Sequence, residues 1–209
     1  MTTVVRAKRR AYFRAFGADG HLRALLRPGM RVLDVGCSDG RGSEVLRDAA
    51  AYGVDIHRPA LQQAVSEGRR VHGSQADARF LPYCEGGFDA VIALDVIEHF
   101  EKVDALAMIG EMERVSRDLV VLLTPNGFVP QAPTEDEPWQ EHRCGFGPGE
   151  LANLGYEVHG VGGVAFLRKP YGAFRSGPVG QALAFASRPV AAARPGAAFH
   201  LLAVRSTAA

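Results

Sequence analysis

Residues 32–40, VLDVGCSDG, decide the fold, because an apolar run ends there in an acid and a turn that carries glycines. A strand buried in a parallel sheet has this kind of apolar run, since helices cover both of its faces. Glycine lets the backbone come close to a ligand, and α/β proteins bind ligands at the carboxyl ends of such strands. The stretch therefore predicts a parallel strand followed by a ligand-binding turn.

The positions of the small residues exclude two common nucleotide-binding turns. A dinucleotide-binding turn needs glycine at its first, third and sixth positions, but counted from Gly36 the third is Ser38 and the sixth is Arg41. A phosphate-binding P-loop ends in Gly-Lys-Ser or Gly-Lys-Thr, and the sequence contains neither. The turn therefore indicates a ligand of another class.

Strand-like and helical stretches alternate along the chain, which predicts βαβ units and a parallel sheet covered on both faces. The spacing in the third helix predicts an apolar face of Val103, Leu106, Ala107, Ile109 and Met112. The expected helices are residues 43–48, 59–67 and 103–115. The expected strands are residues 31–35, 52–55, 70–72, 89–94, 119–123, 156–161 and 199–205, with an antiparallel pairing at the end.

Three further landmarks follow the glycine-bearing turn in order. Residues 51–55 (AYGVD) end a second strand in an acid, where a carboxylate can accept hydrogen bonds from both hydroxyls of a ribose. Residues 73–78 (GSQADA) form a loop with another acid. Residues 88–100 (FDAVIALDVIEHF) form a fourth strand and the turn after it. Four ordered landmarks are a far more specific pattern than one turn.

These four segments resemble the class I S-adenosylmethionine-dependent methyltransferases, and DVIEHF at residues 95–100 resembles their type 11 group. Asp34, Gly36 and Gly40 match the family's first motif, with Ser38 where the family often has another glycine. The resemblance implies an α/β fold: a Rossmann-like, doubly wound, seven-stranded, mostly parallel sheet with an antiparallel C-terminal strand. It also implies an enzyme whose cofactor is S-adenosyl-L-methionine (SAM).

The resemblance assigns a part of the cofactor to each landmark. An alternative interpretation is that the acids cap loops or helices, or support the first turn through hydrogen bonds. The predicted cofactor-binding residues are Asp34, Gly36, Cys37, Ser38, Gly40, Leu94 and Asp95 for the methionine part, Asp55 for the ribose, and Ile56, Asp77 and Ala78 for the adenine.

His99 and His142 are the predicted catalytic residues, because an imidazole titrates near neutral pH and can remove a proton from a hydroxyl or an amine. His99 follows the fourth strand. His142 lies in residues 124–147, a loop after the fifth strand that carries Trp139 and several acids and is predicted to be a lid over the substrate. In the alternative interpretation, His99 only orders its turn and His142 packs beside Trp139.

The size and composition predict one domain over residues 1–209, because 209 residues with 47% hydrophobic content suffice for one core. Residues 1–30 are expected to form a helical cover, and residues 168–195 a helical excursion between the last two strands. Three cysteines without CxxC spacing indicate neither a disulfide framework nor a zinc site. With no apolar run of membrane-spanning length, the expectation is a cytoplasmic monomer or homodimer.

The acceptor is predicted to be a small molecule, such as a sugar or natural-product intermediate, methylated on oxygen, nitrogen or carbon. A net charge of +1 argues against a nucleic-acid partner. Residues 94–100 also lack the Asn/Asp-Pro-Pro-aromatic motif of DNA amino-methyltransferases, and no acid triplet suggests a catalytic metal. The alternatives are a non-catalytic sensor or scaffold that binds the cofactor, and an RNA methyltransferase that uses the basic N-terminal segment.

Overall fold

The computed structural model describes residues 18–135, 137–167 and 177–207. The strands, in chain order, are β1 (Arg31–Val35), β2 (Ala50–Asp55), β3 (His72–Gln75), β4 (Phe88–Leu94), β5 (Ser116–Pro125), β6 (Glu157–Val164) and β7 (Ala198–Ser206). They form one seven-stranded sheet in the order β3-β2-β1-β4-β5-β7-β6. β7 is antiparallel to β5 and β6, and the other neighbouring pairs are parallel. The predicted fold class is confirmed.

Helices cover the sheet on both faces. They are α1 (Ala18–Leu25), α2 (Arg58–Ser66), α3 (Lys102–Val115), α4 (Pro148–Asn153), α5 (Gly177–Ala186) and α6 (Arg188–Ala193). Short 3₁₀ segments span Arg41–Asp48, Ile97–His99, Pro138–Gln140, Ala165–Leu167 and Pro195–Ala197. Within the described ranges, no helix has the length and apolar character needed to cross a bilayer.

β1 illustrates how the sequence buries both faces of the sheet. Leu33 and Val35 belong to one apolar cluster, together with Met108 of α3. Val32 points the other way, into a second cluster that contains Leu22 of α1. Successive strand residues face opposite sides, so the continuous apolar run is what a strand between two helical layers needs.

Two predicted elements differ from the structure near the first turn. The strand expected at residues 70–72 begins only at His72, because Arg69 and Arg70 close the end of α2 and donate their backbone N–H groups to Ala64 O. The helix expected at residues 43–48 is a 3₁₀ segment with a kink at Ser43, whose hydroxyl donates to Asp34.

The predicted apolar face of α3 is partly wrong. Val103 and Leu106 are exposed, whereas Ile109 and Met112 are buried as expected. Apolar side chains occur on both sides of this helix, so the spacing alone is ambiguous. The buried face consists of Ala105, Met108, Ile109, Met112 and Val115.

The described parts of two predicted surface segments are helical. Residues 18–25 of the expected N-terminal cover form α1, and residues 1–17 lie outside the described residues. Residues 177–193 of the expected excursion form α5 and α6, and residues 168–176 lie outside the described residues.

Candidate functional site

A cavity of about 430 Å³ opens at the carboxyl ends of β1, β2 and β4. Cavities of this size are typical of small-molecule sites. The segments that follow β1, β2, β3 and β4 contribute to its wall. Part of the loop between β5 and α4 also lines it. The predicted residues on its lining are Gly36, Ser38, Asp55, Ile56, Asp77, Ala78, Asp95 and His99.

The turn after β1 is held tightly against β2. The backbone N–H groups of Gly36 and Cys37 both donate to Val54 O, at 2.8 and 3.2 Å. Gly36 has φ +68, and a Cβ at this position would lie 2.6 and 2.8 Å from the two γ-carbons of Val96. Glycine is therefore required at Gly36 by both backbone conformation and space.

The other residues of this turn are placed differently. Ser38 also has a positive φ, of 48°, and lines the cavity. Among the described residues, the cavity lining does not include Cys37, Gly40 or Leu94. Cys37 is buried, and this burial raises the pKa of its thiol far above the usual range. The thiol of Cys37 is therefore neutral.

Asp34 lies beneath the turn, not on the cavity lining among the described residues. Its side chain is 3% exposed and forms an ion pair with Arg70, whose side chain is 1% exposed. Arg70 Nε donates to Asp34 Oδ2 at 3.1 Å, and Ser43 Oγ donates to the same oxygen at 2.8 Å. This arrangement fits the support role for Asp34. A direct cofactor contact of Asp34 stays a prediction.

Asp55 lies at the end of β2 on the cavity wall. Its Oδ2 accepts the N–H of Ser38 and its Oδ1 accepts the N–H of His57, both at 2.7 Å. Burial raises the pKa of the Asp55 carboxyl, and the two backbone hydrogen bonds oppose that shift. Each oxygen keeps a further lone pair for a ligand hydroxyl.

Ile56 and the loop after β5 form the outer wall of the cavity. Ile56 is 55% exposed and offers a bare apolar surface to the cavity. Trp139, from the loop, lies with its ring centroid 4.7 Å from that of His57, at an interplanar angle of 31°. The loop therefore reaches across the cavity to the segment after β2.

Asp77 lines the cavity but is already paired. Arg79 Nη2 lies 2.6 Å from Asp77 Oδ2, and Arg79 Nη1 lies 3.0 Å from Asp104 Oδ2. The Arg79 guanidinium lowers the pKa of the Asp77 carboxyl. Arg79 was not among the predicted site residues, although the acid-Ala-Arg sequence was a visible signal for this pair. Ala78, between them, also lines the cavity.

Asp95 occupies a turn at the end of β4 with φ 54. His200 Nε2, from β7, lies 3.4 Å from Asp95 Oδ1. His200 is 1% exposed, and sequence reasoning missed it because β7 is distant along the chain. Asp95 therefore lies between the cavity and the antiparallel end of the sheet.

His99 and His142 come together, with ring centroids 4.9 Å apart. His99 Nδ1 lies 3.1 Å from Glu141 O, and His142 Nδ1 lies 2.7 Å from Val129 O. A carbonyl only accepts hydrogen bonds, so both Nδ1 atoms carry hydrogen and both Nε2 atoms keep a lone pair when the rings are neutral. Burial lowers the pKa of His142. Among the described residues, the cavity lining includes His99 but not His142.

Glu98 is a third polar group at this end of the cavity, which the predictions left out. It is 1% exposed, and its Oε2 accepts the hydroxyl of Thr124 at 3.1 Å. One ligand-type atom each from Glu98, His99 and His142 lie within 4.8 Å of one another. The DVIEHF segment contained the signal for Glu98, but the position of His142 depends on a loop fold that the sequence does not specify.

One protein-family model matches part of the chain. Residues 32–118 match the model of a family described as a methyltransferase domain. The match begins in β1 and includes the first turn, Asp55, Asp77 and the segment with His99.

Curated relatives differ in the acceptors that their names give. The magnesium-protoporphyrin O-methyltransferase of Synechocystis sp. is 34% identical over 115 residues, which cover 52% of this chain and 48% of that protein. A probable tRNA methyltransferase 9B of Bos taurus is 36% identical over 90 residues, which cover 43% of this chain and 19% of that protein. The match thus spans less than half the length of either relative.

Solved structures resemble the described fold. A Synechocystis magnesium protoporphyrin IX methyltransferase with bound S-adenosylhomocysteine (SAH) has a TM-score of 0.57 at 18% identity. That comparison covers 99% of this chain and 88% of the other. At this level of identity the similarity concerns the fold.

Proposed function

We propose that this chain is a SAM-dependent methyltransferase that acts on an oxygen atom of a small molecule, because residues 32–118 match the model of a methyltransferase domain family. The observation that carries the proposal is that Gly36, Asp55 and His99 line one cavity at the carboxyl edge of the sheet. This is where α/β proteins bind their ligands.

The cavity suits SAM in size and in polar groups. Asp55 accepts the ribose hydroxyls through lone pairs that its backbone contacts leave available. Ile56 offers an apolar surface to the adenine, and Gly36 allows close approach of the methionine part. When bound, SAM supplies an electrophilic methyl group to a nucleophile opposite its sulfur.

His99 is the proposed proton acceptor. Its Nδ1 hydrogen is held by Glu141 O, so in the neutral ring Nε2 carries the lone pair that would take a hydroxyl proton from the acceptor. Trp139 and its loop exclude water from the site, which favours transfer to the acceptor over side reactions. Catalysis in this proposal depends mainly on holding donor and acceptor in line.

A small-molecule acceptor is favoured because the loop that carries Trp139 narrows access to the cavity. A relative named for an O-methyltransferase activity on a porphyrin supports the same choice. In the proposal, the acceptor enters at the end of the cavity formed by Asp95 and His99.

A labelled-methyl assay tests the acceptor class. The protein is incubated with methyl-labelled SAM and either an ultrafiltered metabolite extract or total tRNA. We expect label in small molecules and formation of SAH, loss of both with Asp55→Ala, and retention of both with Asp118→Ala. Asp118 is the matched control because it lies near the amino end of β5, away from the cavity.

A tRNA acceptor is the second candidate, since several matched relatives are named tRNA methyltransferases or probable tRNA methyltransferases. Label that appears in tRNA and not in the metabolite fraction would support this candidate and contradict the small-molecule proposal. A steep fall of tRNA affinity with salt would accompany it, because phosphate contacts release counterions.

A further inference from the structure

We infer that Glu98, His99 and His142 bind a divalent transition-metal ion at the acceptor end of the cavity. One ligand-type atom of each residue lies within 4.8 Å of those of the other two. Two imidazoles and one carboxylate form a common ligand set for such ions, and they leave coordination positions open for a substrate. The inference opposes the expectation of no metal that the sequence suggested.

The hydrogen bonds of the two histidines prepare them as ligands. Each Nδ1–H donates to a backbone carbonyl, at 3.1 Å for His99 and 2.7 Å for His142. Metal-binding histidines commonly hold their second ring nitrogen in this way, because it fixes the tautomer and aims the other nitrogen at the ion. In the neutral rings it is therefore Nε2 that carries the lone pair, and Nε2 is the atom that would bind the ion.

Glu98 supplies the negative charge of the site. It lies in the 3₁₀ segment after β4 and is 1% exposed, and one of its carboxylate oxygens lies within 4.8 Å of a ring nitrogen of each histidine. The Thr124 hydroxyl donates to Oε2 at 3.1 Å and orients the carboxylate. Hydrogen bonds of this kind to a ligating carboxylate are typical of metal sites.

The loop between β5 and α4 is fastened to Glu98 at the same place. Arg143 N and Cys144 N donate to Glu98 O, at 2.8 and 3.3 Å. These two hydrogen bonds position the loop so that His142 lies close to His99. Ligand atoms that share one ion through bonds of about 2.1 Å lie roughly 3–3.5 Å apart, so a bound ion would draw the three groups together.

The ligand set favours ions such as Mn²⁺, Fe²⁺, Co²⁺ or Zn²⁺ over Mg²⁺ and Ca²⁺, which prefer oxygen ligands. This step rests on the proposed function. An acceptor hydroxyl bound to the ion loses its proton to water more easily. Its oxygen then forms the bond to the methyl carbon, and the electrons of the broken carbon–sulfur bond remain on sulfur, which gives SAH. With the ion bound, Nε2 of His99 is a ligand, so the acceptor proton goes to water and not to His99 as in the proposal above.

Mn²⁺ binding measured by electron paramagnetic resonance tests the inference. Mn²⁺ is the suitable probe because the exposed thiol of Cys84 would compete for Zn²⁺, whereas thiols are poor ligands for Mn²⁺. The chain is first treated with a chelator and then titrated with Mn²⁺ without SAM. We expect one bound ion per chain, and at least about tenfold weaker binding in His99→Ala and in His142→Ala.

Two control variants separate this inference from the proposed function and from unfolding. His159→Ala removes a histidine on β6 whose Nε2 lies 3.3 Å from Glu157, and it should bind Mn²⁺ like the unmodified chain. Asp55→Ala should lose SAM binding but keep Mn²⁺ binding. Circular dichroism melting of each variant shows whether the fold is retained.

The inference is overturned if the chain binds no Mn²⁺ up to millimolar concentrations. It is also overturned if folded His99→Ala and His142→Ala bind Mn²⁺ as tightly as His159→Ala does. Either result leaves the proposed methyltransferase function intact, because that function is tested by SAM binding and turnover.

Discussion

Some residues of the first turn line the cavity, and others hold the turn in shape. Asp34 was predicted from the motif, but its partner Arg70 was not, because Arg70 is 36 positions away and was expected in a strand. A sequence pattern indicates that an acid is needed. It does not indicate which distant cation will neutralise that acid.

Arg70→Met is predicted to destabilise the fold by about 3–5 kcal/mol, because it leaves the buried charge of Asp34 without its partner. Chemical denaturation measures the loss. Arg117→Met is the matched control: Arg117 pairs with Asp89 at 2.7 Å but is 59% exposed, so we expect about 0–1 kcal/mol. Equal losses in the two variants would show that the Asp34–Arg70 pair has no special role.

Asp55 is predicted to make SAM affinity depend on pH. Burial raises its pKa above the usual 3.8, and only the ionised carboxylate accepts both ribose hydroxyls. Affinity is therefore present above the raised pKa and falls by up to about tenfold per pH unit below it. Calorimetric titrations at decreasing pH measure this loss, which should begin above the range of an ordinary aspartate.

A His99→Gln background removes the imidazole that lines the same cavity. The loss of SAM affinity at low pH should persist in that variant, since Asp55 is unchanged. Arg79 lowers the pKa of Asp77, so Asp77 does not account for a loss of affinity above the range of an ordinary aspartate. An affinity that stays constant down to the usual aspartate pKa would contradict the role of Asp55.

At the scale of elements, the strands other than β3 were largely predictable, and the loops were not. β1 begins and ends where expected, since a buried parallel strand is a continuous apolar run between polar residues. The face of α3 was only partly predictable because apolar residues lie on both of its sides. Where the loop between β5 and α4 folds depends on backbone contacts such as Cys144 N to Glu98 O, which no local pattern encodes.

Trp139 is the single tryptophan of the chain and lines the cavity, so its emission should report ligand binding. SAM is predicted to change the fluorescence saturably, because the indole passes from a partly exposed site to one packed against the ligand. Titration in a fluorimeter measures the change. The fluorescence of the Asp55→Ala variant should not change when SAM is added. Calorimetric binding of SAM without any change in emission would mean that the loop does not cover the cofactor.

At the scale of the whole molecule, the fold brings distant segments to one edge of the sheet. Residues after β1, β2, β3 and β4 meet there because parallel strands share a carboxyl edge, and this much of the site was predictable. His200 and His142 reach the same edge through β7 and the loop between β5 and α4. Their positions follow from the folded chain and have no signature in the sequence.

The most direct test of the account is calorimetric titration of SAM into the unmodified chain, Asp55→Ala and Asp118→Ala. The account predicts one SAM bound per unmodified chain, no measurable binding to Asp55→Ala and unchanged binding to Asp118→Ala. If the Asp55→Ala variant bound SAM as tightly as the unmodified chain does, this result would contradict the account.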